Sequence, residues 1–338
     1  MATIKEVARR AHVSVGTVSN VLSGSSTVAE ELRKRVENAI RELNFQPNHA
    51  ARSLKSRRSK TIGMIISDIT NPFFPLVVRG AEIAAQKAGY VLNIFNTDDQ
   101  LDREQQMFAL LQTRRVDGVL AVVAPNPARD ISHLSSTADA GIPIVCLDRV
   151  PPGYPVDAVV VNNRRGAAMC VRHLISLGHK LIGFVSGSLL LQTSLERYEG
   201  YKQSLLEAGL AVEPSLIREG DFRIESGYRL AKDLLLNHPR PTALFAVNGT
   251  MGLGALKAID ELGLKCPKDV ALAVFDEVPS AEILRPHLTS VVQPAFEIGL
   301  KATELLLARI AGKMPSEHTV IVLEPELKVR ESTLPSGA

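Results

Sequence analysis

From Thr61 onward, the chain alternates short apolar runs with stretches in which apolar residues recur at helical spacing. Each run has four to six mostly apolar residues, which is typical of strands buried on both faces of a sheet. The candidate strands are Ile62–Ser67, Val91–Phe95, Gly118–Val123, Ile144–Leu147, Ala158–Val161, Leu181–Ser186, Ala243–Val247 and Val270–Phe275. The expected helices between them begin near Phe74, Asp102, Arg129, Arg164, Ser194, Glu225, Thr250 and Ala281. This order predicts an α/β fold with parallel sheets covered by helices on both sides.

The body that follows residue 60 is too long for one sheet of this kind, so we expect two lobes. Three candidate crossovers between the lobes lie at Asn162-Asn163, near Val291–Pro294 and around the return strand Val320–Leu323. The resulting boundaries are about 61–161 and 293–320 for the N-lobe, and about 162–292 and 321–338 for the C-lobe. Three crossovers predict a hinged body that binds a ligand between its lobes.

Charge separates the first sixty residues, the head and linker, from the body. Residues 1–60 carry 12 Lys or Arg and 5 Asp or Glu, a net charge of +7, whereas the other 27 basic and 31 acidic residues give −4. A basic head on an acidic body favours a polyanion such as nucleic acid as the partner of the head alone. The alternative is a basic helix face that is merely solvated.

The head, residues 1–46, has the pattern of a small all-α domain. Its three expected helices are Thr3–Ala11, Val15–Leu22 and about Ala29–Leu43. Thr3 and Glu6 have the spacing of a capping box, and Ser14 is the expected N-cap of the second helix. Because about three residues separate the first two helices, the head is predicted to be a helix-turn-helix.

In a helix-turn-helix, the second helix enters the major groove of duplex DNA with its first turn at the base edges. The outward positions available for base contacts are Val15, Gly16 and Asn20. An Asn side chain pairs with N6 and N7 of adenine, and Val suits a thymine methyl group. The residues expected at phosphate oxygens are Thr3, Ser14, Thr17 and Ser19. Ordinary helix capping by Ser14 and Thr17 is the alternative, and it is compatible with phosphate contacts.

Residues 47–60 are predicted to join head and body through a short hinge helix. The segment Asn48–Ser56 is marginal as an isolated helix because it has only about nine residues. Its Leu54 lies in a basic setting, which suggests a wedge between base steps in the minor groove. A core contact of Leu54 with the body is the alternative. The DNA contacts assigned to this segment are Asn48, Arg52, Leu54 and Lys55.

Two motifs identify a family resemblance. The head contains V-A-x-x-A-x-V-S-x-x-T-V-S-x-V-L, and the linker contains P-N-x-x-A-R-x-L. Residues 3–63 closely resemble the head and hinge of the lac and galactose repressor family of bacterial transcriptional regulators, and the head is most similar to that of the purine repressors. This resemblance implies that Val15, Gly16 and Asn20 are variable base-reading positions, and that Leu54 is the wedge of the hinge helix. The body resembles the two-lobe periplasmic-binding-protein-like domain that the family carries.

Polar and aromatic residues follow several predicted strands, at the ends where ligands bind in parallel sheets. Carboxylates accept hydrogen bonds from sugar hydroxyls, Arg donates several, and aromatic rings lie against apolar sugar faces. The family resemblance implies effector contacts for Asp148, Arg197, Asn248 and Asp276, with looser matches at Phe74, Phe222 and Gln293. An Asp at the end of one strand is more often a helix cap or turn residue, so the argument depends on several of them sharing one crevice.

Two departures from the family pattern concern the effector. The family usually has Asp after the Asn in an N-D-x-M-A-x-G stretch, where this chain has Asn248-Gly249. Purine-responsive members have an arginine where this chain has Leu191. Leu191 therefore argues against a purine, and the hydroxyl-directed groups favour a sugar or sugar derivative of unspecified identity.

The sequence offers little support for an enzyme. Phosphate-loop, nucleophile-elbow and H-E-x-x-H motifs are missing, and the eight histidines show no metal-ligand spacing. We therefore expect no catalytic residue, no metal and no cofactor. Two alternatives are an enzyme fused to a DNA-binding head and a sugar receptor with no role on DNA. The basic head argues against the receptor.

Several features indicate a cytoplasmic, nucleoid-associated protein without membrane contact. Cys146, Cys170 and Cys266 lie far apart, which fits a reducing compartment. No apolar run reaches the roughly 18 residues that span a bilayer, and the N-terminal residues show no secretory signal.

These patterns together predict a ligand-responsive repressor that binds a palindromic DNA operator as a homodimer, because one head reads too few bases to be selective. A dimer is favoured over a tetramer because no leucine heptad follows the last predicted strand. The sequence leaves open whether the ligand is an inducer or a corepressor, and whether the protein represses or activates at a given promoter.

Overall fold

In the part of the N-terminal unit that the structure describes, three helices pack together: α1 (Ile4–Ala11), α2 (Val15–Leu22) and α3 (Glu30–Glu42). Their buried core consists of Val7, Ala8, Ala11, Val18, Val21, Val36 and Ala39. The predicted capping box is confirmed, since Thr3 Oγ1 accepts from the Glu6 amide and the Glu6 carboxylate accepts from the Thr3 amide. Ser14 Oγ accepts from the Thr17 amide at 3.0 Å. Local capping therefore sets where α1 and α2 begin, as the sequence predicts.

The computed structural model describes residues 2–22, 27–45, 58–126, 128, 130–278 and 283–334. Its two units are Met1–Ser59 and Lys60–Ala338. The helices of the second unit are α4 (Phe73–Lys87), α5 (Leu101–Thr113), α6 (Ser132–Asp139), α7 (Asn163–Ser176), α8 (Gln192–Glu207), α9 (Ile224–Leu236), α10 (Gly249–Glu261) and α11 (Ala295–Ile310). A 3₁₀ turn covers Pro214–Leu216.

The strands of the second unit form two six-stranded sheets. In chain order they are β1 (Thr61–Ile66), β2 (Val91–Asn96), β3 (Gly118–Ala121), β4 (Ile144–Leu147), β5 (Asp157–Val161), β6 (Ile182–Ser186), β7 (Ile217–Glu219), β8 (Ala243–Ala246), β9 (Ala271–Phe275), β10 (Thr289–Val292), β11 (Val320–Leu323) and β12 (Glu326–Lys328). The N-lobe sheet has the order β11-β5-β4-β3-β1-β2, and the C-lobe sheet has the order β12-β10-β9-β8-β6-β7. All pairs are parallel except β10 with β12. The predicted α/β fold with two parallel-sheet lobes is confirmed.

The chain passes between the lobes three times: after β5, after β10 and after β11. The third passage differs from the expected lobe boundaries. Val320–Leu323 pairs with β5 in the N-lobe sheet, whereas the sequence assigned residues 321–338 to the C-lobe. All four residues of Val320–Leu323 pair with β5, so the chain stays in the N-lobe sheet until Leu323 and the crossover follows that residue.

Some elements differ from the sequence predictions. The short strands β7, β10 and β12 and the helix α11 were not among those expected. The three strands contain at most two apolar residues each, Ile-Arg-Glu, Thr-Ser-Val-Val and Glu-Leu-Lys, so they lack the apolar run that marks the other strands. No element was expected between the second crossover and Val320–Leu323, where α11 lies. A helix was expected near Ala281, which lies outside the described residues. The described residues that follow, 283–288, form a turn, bends and irregular structure rather than helix.

Helices α4 and α11 cover the N-lobe sheet and approach each other closely at two glycines. A Cβ atom on Gly299 would lie 1.8 Å from the Val77 carbonyl oxygen, and one on Gly80 would lie 2.0 Å from the Phe296 carbonyl oxygen. Backbone therefore meets backbone at this crossing. The contact places the returning helix α11 against a strand layer that is contributed mainly by residues before position 162.

Candidate functional site

A cavity of about 310 Å³ lies between the two lobes. Its walls come from loops at the carboxyl ends of strands in both sheets, where parallel sheets bind ligands. The seven residues that the sequence assigned to the effector all line it: Phe74, Asp148, Arg197, Phe222, Asn248, Asp276 and Gln293. The structure thus brings together residues up to about 220 positions apart in the chain.

Three of these residues have left-handed backbone conformations. The φ angle is 63° at Asp148, 66° at Phe222 and 69° at Asp276. Such angles are uncommon for residues other than glycine, and they cluster at functional sites where the surrounding fold maintains them. In this cavity they turn each side chain sharply at the end of a strand or loop.

Arg197 is the central cation of the cavity, and it is almost fully buried. Its Nε donates to Asn163 Oδ1 at 2.9 Å, and its Nη1 donates to the Val247 carbonyl oxygen at 2.6 Å. The guanidinium also lies 3.8 Å from the centre of the Phe275 ring. These contacts hold the guanidinium in one orientation and leave Nη2, together with the second N–H of Nη1, to donate to a ligand.

Asn248 has a structural role in this cavity. Its Oδ1 accepts from the Met251 amide at 2.9 Å, which makes it the N-cap of α10. Its Nδ2 donates to the Phe222 carbonyl oxygen at 3.0 Å and to Thr250 Oγ1 at 2.7 Å. Both amide protons are therefore used, and Asn248 positions the loop that carries Phe222. Asn248 thus caps a helix, which is the alternative role that polar residues at strand ends can have.

Two cavity residues are hydrogen bonded to residues at chain crossovers. Arg197 binds Asn163, which begins α7 directly after the first crossover. Asp276 Oδ1 accepts from Nε2 of Gln293, at 2.5 Å, and Gln293 lies at the second crossover. The buried Oε1 of Gln293 has no hydrogen-bond partner among the described residues. Groups that face the cavity are thus tied to the segments about which the lobes would rotate.

Several cavity residues were not assigned from the sequence. Arg149 donates from Nη1 to Asp99 Oδ1 at 2.5 Å and to the Val123 carbonyl oxygen at 3.2 Å. The other unassigned charged residues of the lining are Asp68, Asp98, Asp221 and Arg223. The strand-end rule would have found Asp98 and Asp99, which closely follow β2. Pairing of Arg149 with a residue 50 positions away carries no sequence signal.

Burial changes the protonation of the cavity carboxyls. It raises the pKa of Asp148 to about 6, against the opposing effect of Arg149 and Arg197. Burial also raises the pKa of Asp276, although Arg197 and the hydrogen bond from Gln293 act in the opposite direction. For Arg197, burial lowers the pKa, and the nearby Asp276 and Asp148 counteract it. Hydroxyl groups of a ligand that donate hydrogen bonds to Asp148 and Asp276 would stabilise the charged form of both carboxyls.

The Asp148 carboxyl should make the stability of the ligand-free protein depend on pH. Because folding raises its pKa from 3.8 to about 6, the folded state binds more protons than the unfolded state in that interval. Its contribution to stability is therefore greatest at low pH and is lost as pH rises through about 6. We expect the free energy of unfolding to fall by about 1 kcal/mol relative to Asp148→Asn between about pH 5 and about pH 7.5.

Urea unfolding of both proteins at the two pH values measures this difference. The exposed Asp260→Asn substitution on α10 is the control for loss of a surface carboxyl. If the free energies of unfolding of the wild type and Asp148→Asn differ by the same amount at both pH values, the assignment of the proton to Asp148 is contradicted.

The N-terminal unit presents the predicted base-reading residues at its surface. Val15 is 42% exposed, and Gly16 and Asn20 are also exposed on α2. Thr3 and Ser14 are exposed while they cap α1 and α2, and Thr17 and Ser19 are half-buried. Arg35 has a structural use, because its Nη2 donates to the Ala11 carbonyl at 2.6 Å and to the His12 carbonyl at 3.1 Å.

The predicted hinge contacts Asn48, Arg52, Leu54 and Lys55 lie outside the described residues. Within the described ranges, no group of three or more His, Cys, Asp or Glu side chains could hold a metal ion. Those same ranges contain no helix with the length and apolarity that a bilayer crossing requires.

Two family profiles match the chain. Residues 3–48 match "Bacterial regulatory proteins, lacI family", and residues 171–333 match "Periplasmic binding protein-like domain". The first covers the helix-turn-helix, and the second covers most of the C-lobe together with the returning elements.

Curated relatives align over nearly the whole chain. The HTH-type transcriptional repressor PurR of Aliivibrio salmonicida is 36% identical over 332 residues, which are 98% of this chain and 99% of the relative. The ribose operon repressor of Haemophilus influenzae is 37% identical over 333 residues, 98% of each chain.

Solved structures agree with this alignment. The complex of the transcriptional regulator CelR with cellobiose has a TM-score of 0.75 and 33% identity, and the match covers 98% of this chain and 100% of CelR. The lac repressor dimer bound to operator and the anti-inducer ONPF has a TM-score of 0.87 and 27% identity, with 99% of both chains covered.

Proposed function

The chain belongs to the lacI family of bacterial regulatory proteins, and from that premise we propose that it represses transcription as a homodimer on a palindromic operator. In this proposal, a small sugar-like effector binds between the two lobes and changes the affinity for DNA. The observation that supports it most directly is the inter-lobe cavity, in which all seven predicted effector residues converge. The two curated relatives above are named as repressors, and the family is a family of DNA-binding regulators rather than of enzymes.

On the DNA side, the head offers an exposed recognition helix. Asn20 and Val15 are exposed on one helix, with Gly16 between them allowing the backbone to approach a base edge. Ser14 and Thr3 are exposed hydroxyl residues near the helix starts, which suits phosphate contacts. We assign base contacts to Val15, Gly16 and Asn20, and phosphate contacts to Thr3, Ser14, Thr17 and Ser19.

We assign the remaining DNA contacts to the linker, with Leu54 as a minor-groove wedge and Asn48, Arg52 and Lys55 beside it. The motivation is an apolar residue in a basic segment that is too short to be a stable helix alone. The corresponding domain division is 1–46 for the head, 47–60 for the hinge and 61–338 for effector binding and dimerisation.

On the effector side, the cavity offers the means for a ligand to act on the lobe angle. A ligand shifts a conformational equilibrium only by binding the two states with different affinities. Arg197 and Asp276 face the cavity and are hydrogen bonded to Asn163 and Gln293 at two crossovers. A ligand that engages either side chain therefore acts directly on groups attached to the hinge.

A bacterial chromosome lies in the cytoplasm, so a regulator of this family works there. We further propose that the protein associates with the nucleoid, which requires that it also binds DNA outside the operator. The basic head, with a net charge of +7 over residues 1–60, favours such sequence-independent contacts.

The function is tested by selecting duplexes from a random library with the full-length chain at moderate salt. We expect a palindrome bound at least about a thousandfold more tightly than bulk DNA. Leu54→Ala should weaken binding to that duplex by at least about 1 kcal/mol, since a wedge contributes to the bent complex. The exposed substitution Glu304→Ala, in the body, is the matched control. Failure to select any palindrome, with and without sugars, would refute the function, and full binding by Leu54→Ala would refute the wedge.

A further inference from the structure

The charge of the inter-lobe cavity restricts which sugar derivative it can bind. Its ionisable lining residues are Asp68, Asp98, Asp99, Asp148, Asp221, Asp276, Arg149, Arg197 and Arg223. Six aspartates against three arginines give a formal charge of −3. We propose that the effector is a sugar without phosphate or carboxylate groups, an inference that rests on the proposed function of this cavity.

The buried arginines are already committed to the protein. Arg149 forms an ion pair with Asp99 and donates to the Val123 carbonyl oxygen. Arg197 uses Nε and Nη1 on Asn163 and the Val247 carbonyl oxygen, and its guanidinium stacks on Phe275. Because of these contacts, neither guanidinium can direct all of its N–H groups toward a phosphate. Arginine binds anions most strongly when two of its nitrogens donate parallel hydrogen bonds to the same anion.

The carboxylates of Asp148 and Asp276, in contrast, are buried and have capacity to accept. Asp276 accepts from Gln293 through Oδ1, which leaves Oδ2 for a ligand. Asp148 contacts Arg149 Nε at 3.4 Å, with no hydrogen-bond donor described at its carboxylate oxygens. Buried acceptors of this kind match sugar hydroxyls, whereas a ligand anion beside them would meet like charges in a medium of low polarity.

Two features favour an anion: the exposed Arg223 of the lining, and the N-terminus of α8. No side chain caps this helix, and Thr193 in its first turn lines the cavity. A helix N-terminus acts as about half an elementary positive charge. Arg223 is already included in the formal charge of −3, and half a positive charge does not offset that total, so the balance remains against a phosphate or a sugar acid.

The apolar part of the lining agrees with a neutral sugar. Phe73, Phe74 and Phe222 line the cavity beside the carboxylates. Aromatic rings next to hydrogen-bond acceptors suit a ring with apolar faces and hydroxyls at its edge. The volume of about 310 Å³ lies at the lower end of the usual range of small-molecule sites, which suits a mono- or disaccharide.

Calorimetric titration of the full-length chain with matched ligands tests the inference. The neutral panel consists of glucose, galactose, ribose and cellobiose, and the anionic panel consists of the matched monophosphates and aldonic acids. We expect at least one neutral sugar to bind and its anionic counterparts to bind at least about tenfold more weakly, as like charges require. Asp148→Asn should reduce the ratio of the affinity for the neutral sugar to the affinity for its anionic counterpart. The exposed control Asp260→Asn should leave this ratio unchanged.

A monophosphate or aldonate that binds as tightly as its neutral counterpart would overturn the inference, and so would a neutral panel in which no member binds at millimolar concentration. Neither result bears on operator selection. If the chain selects a palindrome but prefers phosphorylated sugars, only the inference about charge fails. If neutral sugars bind but no palindrome is selected, the regulatory function fails and the inference about charge stands.

Discussion

Replacing Arg197 with alanine is expected to abolish the effect of a bound sugar on DNA affinity while leaving sugar-free operator binding intact. Arg197 supplies a buried charged donor to the cavity, and loss of one charge-assisted hydrogen bond costs about 1.5–3 kcal/mol, or roughly tenfold to a hundredfold in affinity. The substitution also removes the hydrogen bond to Asn163 at the first crossover. A sugar that still bound could then no longer act on the hinge through this hydrogen bond.

The measurement is fluorescence anisotropy of a selected operator duplex, titrated with protein at several concentrations of the sugar that binds the wild type. Arg218→Ala is the matched control, because Arg218 is in the same lobe, pairs with Asp233 and does not line the cavity. Thermal unfolding without sugar checks that each variant is folded, and Arg197→Lys provides a variant that retains the buried charge. A wild-type sugar response in Arg197→Ala would exclude Arg197 from the effector site.

Replacing Gly299 with alanine is expected to destabilise the body by about 3 kcal/mol or to prevent its folding, which is the upper part of the range for overpacked cores. The new Cβ would lie 1.8 Å from the Val77 carbonyl oxygen and 2.9 Å from the Ala81 amide nitrogen. Both are backbone atoms of α4, so no side-chain rotation can relieve the clash. The helices would have to separate, which opens space in the core of the N-lobe.

Urea unfolding of the full chain, followed by circular dichroism, measures this loss. Glu304→Ala places the same residue type at an exposed position of the same helix, and a change within about 0.5 kcal/mol is expected there. Gly80→Ala tests the other half of the crossing, where the new Cβ would lie 2.0 Å from the Phe296 carbonyl oxygen. Near-native stability of Gly299→Ala would show that the two helices do not pack at this distance.

Most secondary structure in this chain could be predicted because its signals are local. Thr3 with Glu6 and Ser14 with Thr17 interact across three positions, so the starts of α1 and α2 are visible in the sequence. Apolar runs likewise revealed the longer strands. The strand β10 lacked an apolar run because two of its four residues are Thr289 and Ser290, and the helix α11 that follows it was also missed.

The site was predictable in part. The strand-end rule and the family resemblance identified seven residues that converge on one cavity, including Asp148 and Asp276. They did not reveal that Asn248 is occupied as a helix cap or that Arg149 pairs with Asp99. Competition between a ligand and an internal partner depends on distances across the fold, which spacing along the chain does not specify.

The sequence by itself thus determined the helix-turn-helix head, the alternation of strands and helices, and the residue types at the ends of the strands. Tertiary structure alone decided the left-handed turns at Asp148, Phe222 and Asp276, the commitment of the cavity arginines and the backbone contact at Gly299. The reason is the range of the interactions: capping and periodicity act within a few residues, whereas charge balance and close packing arise between segments that only folding brings together.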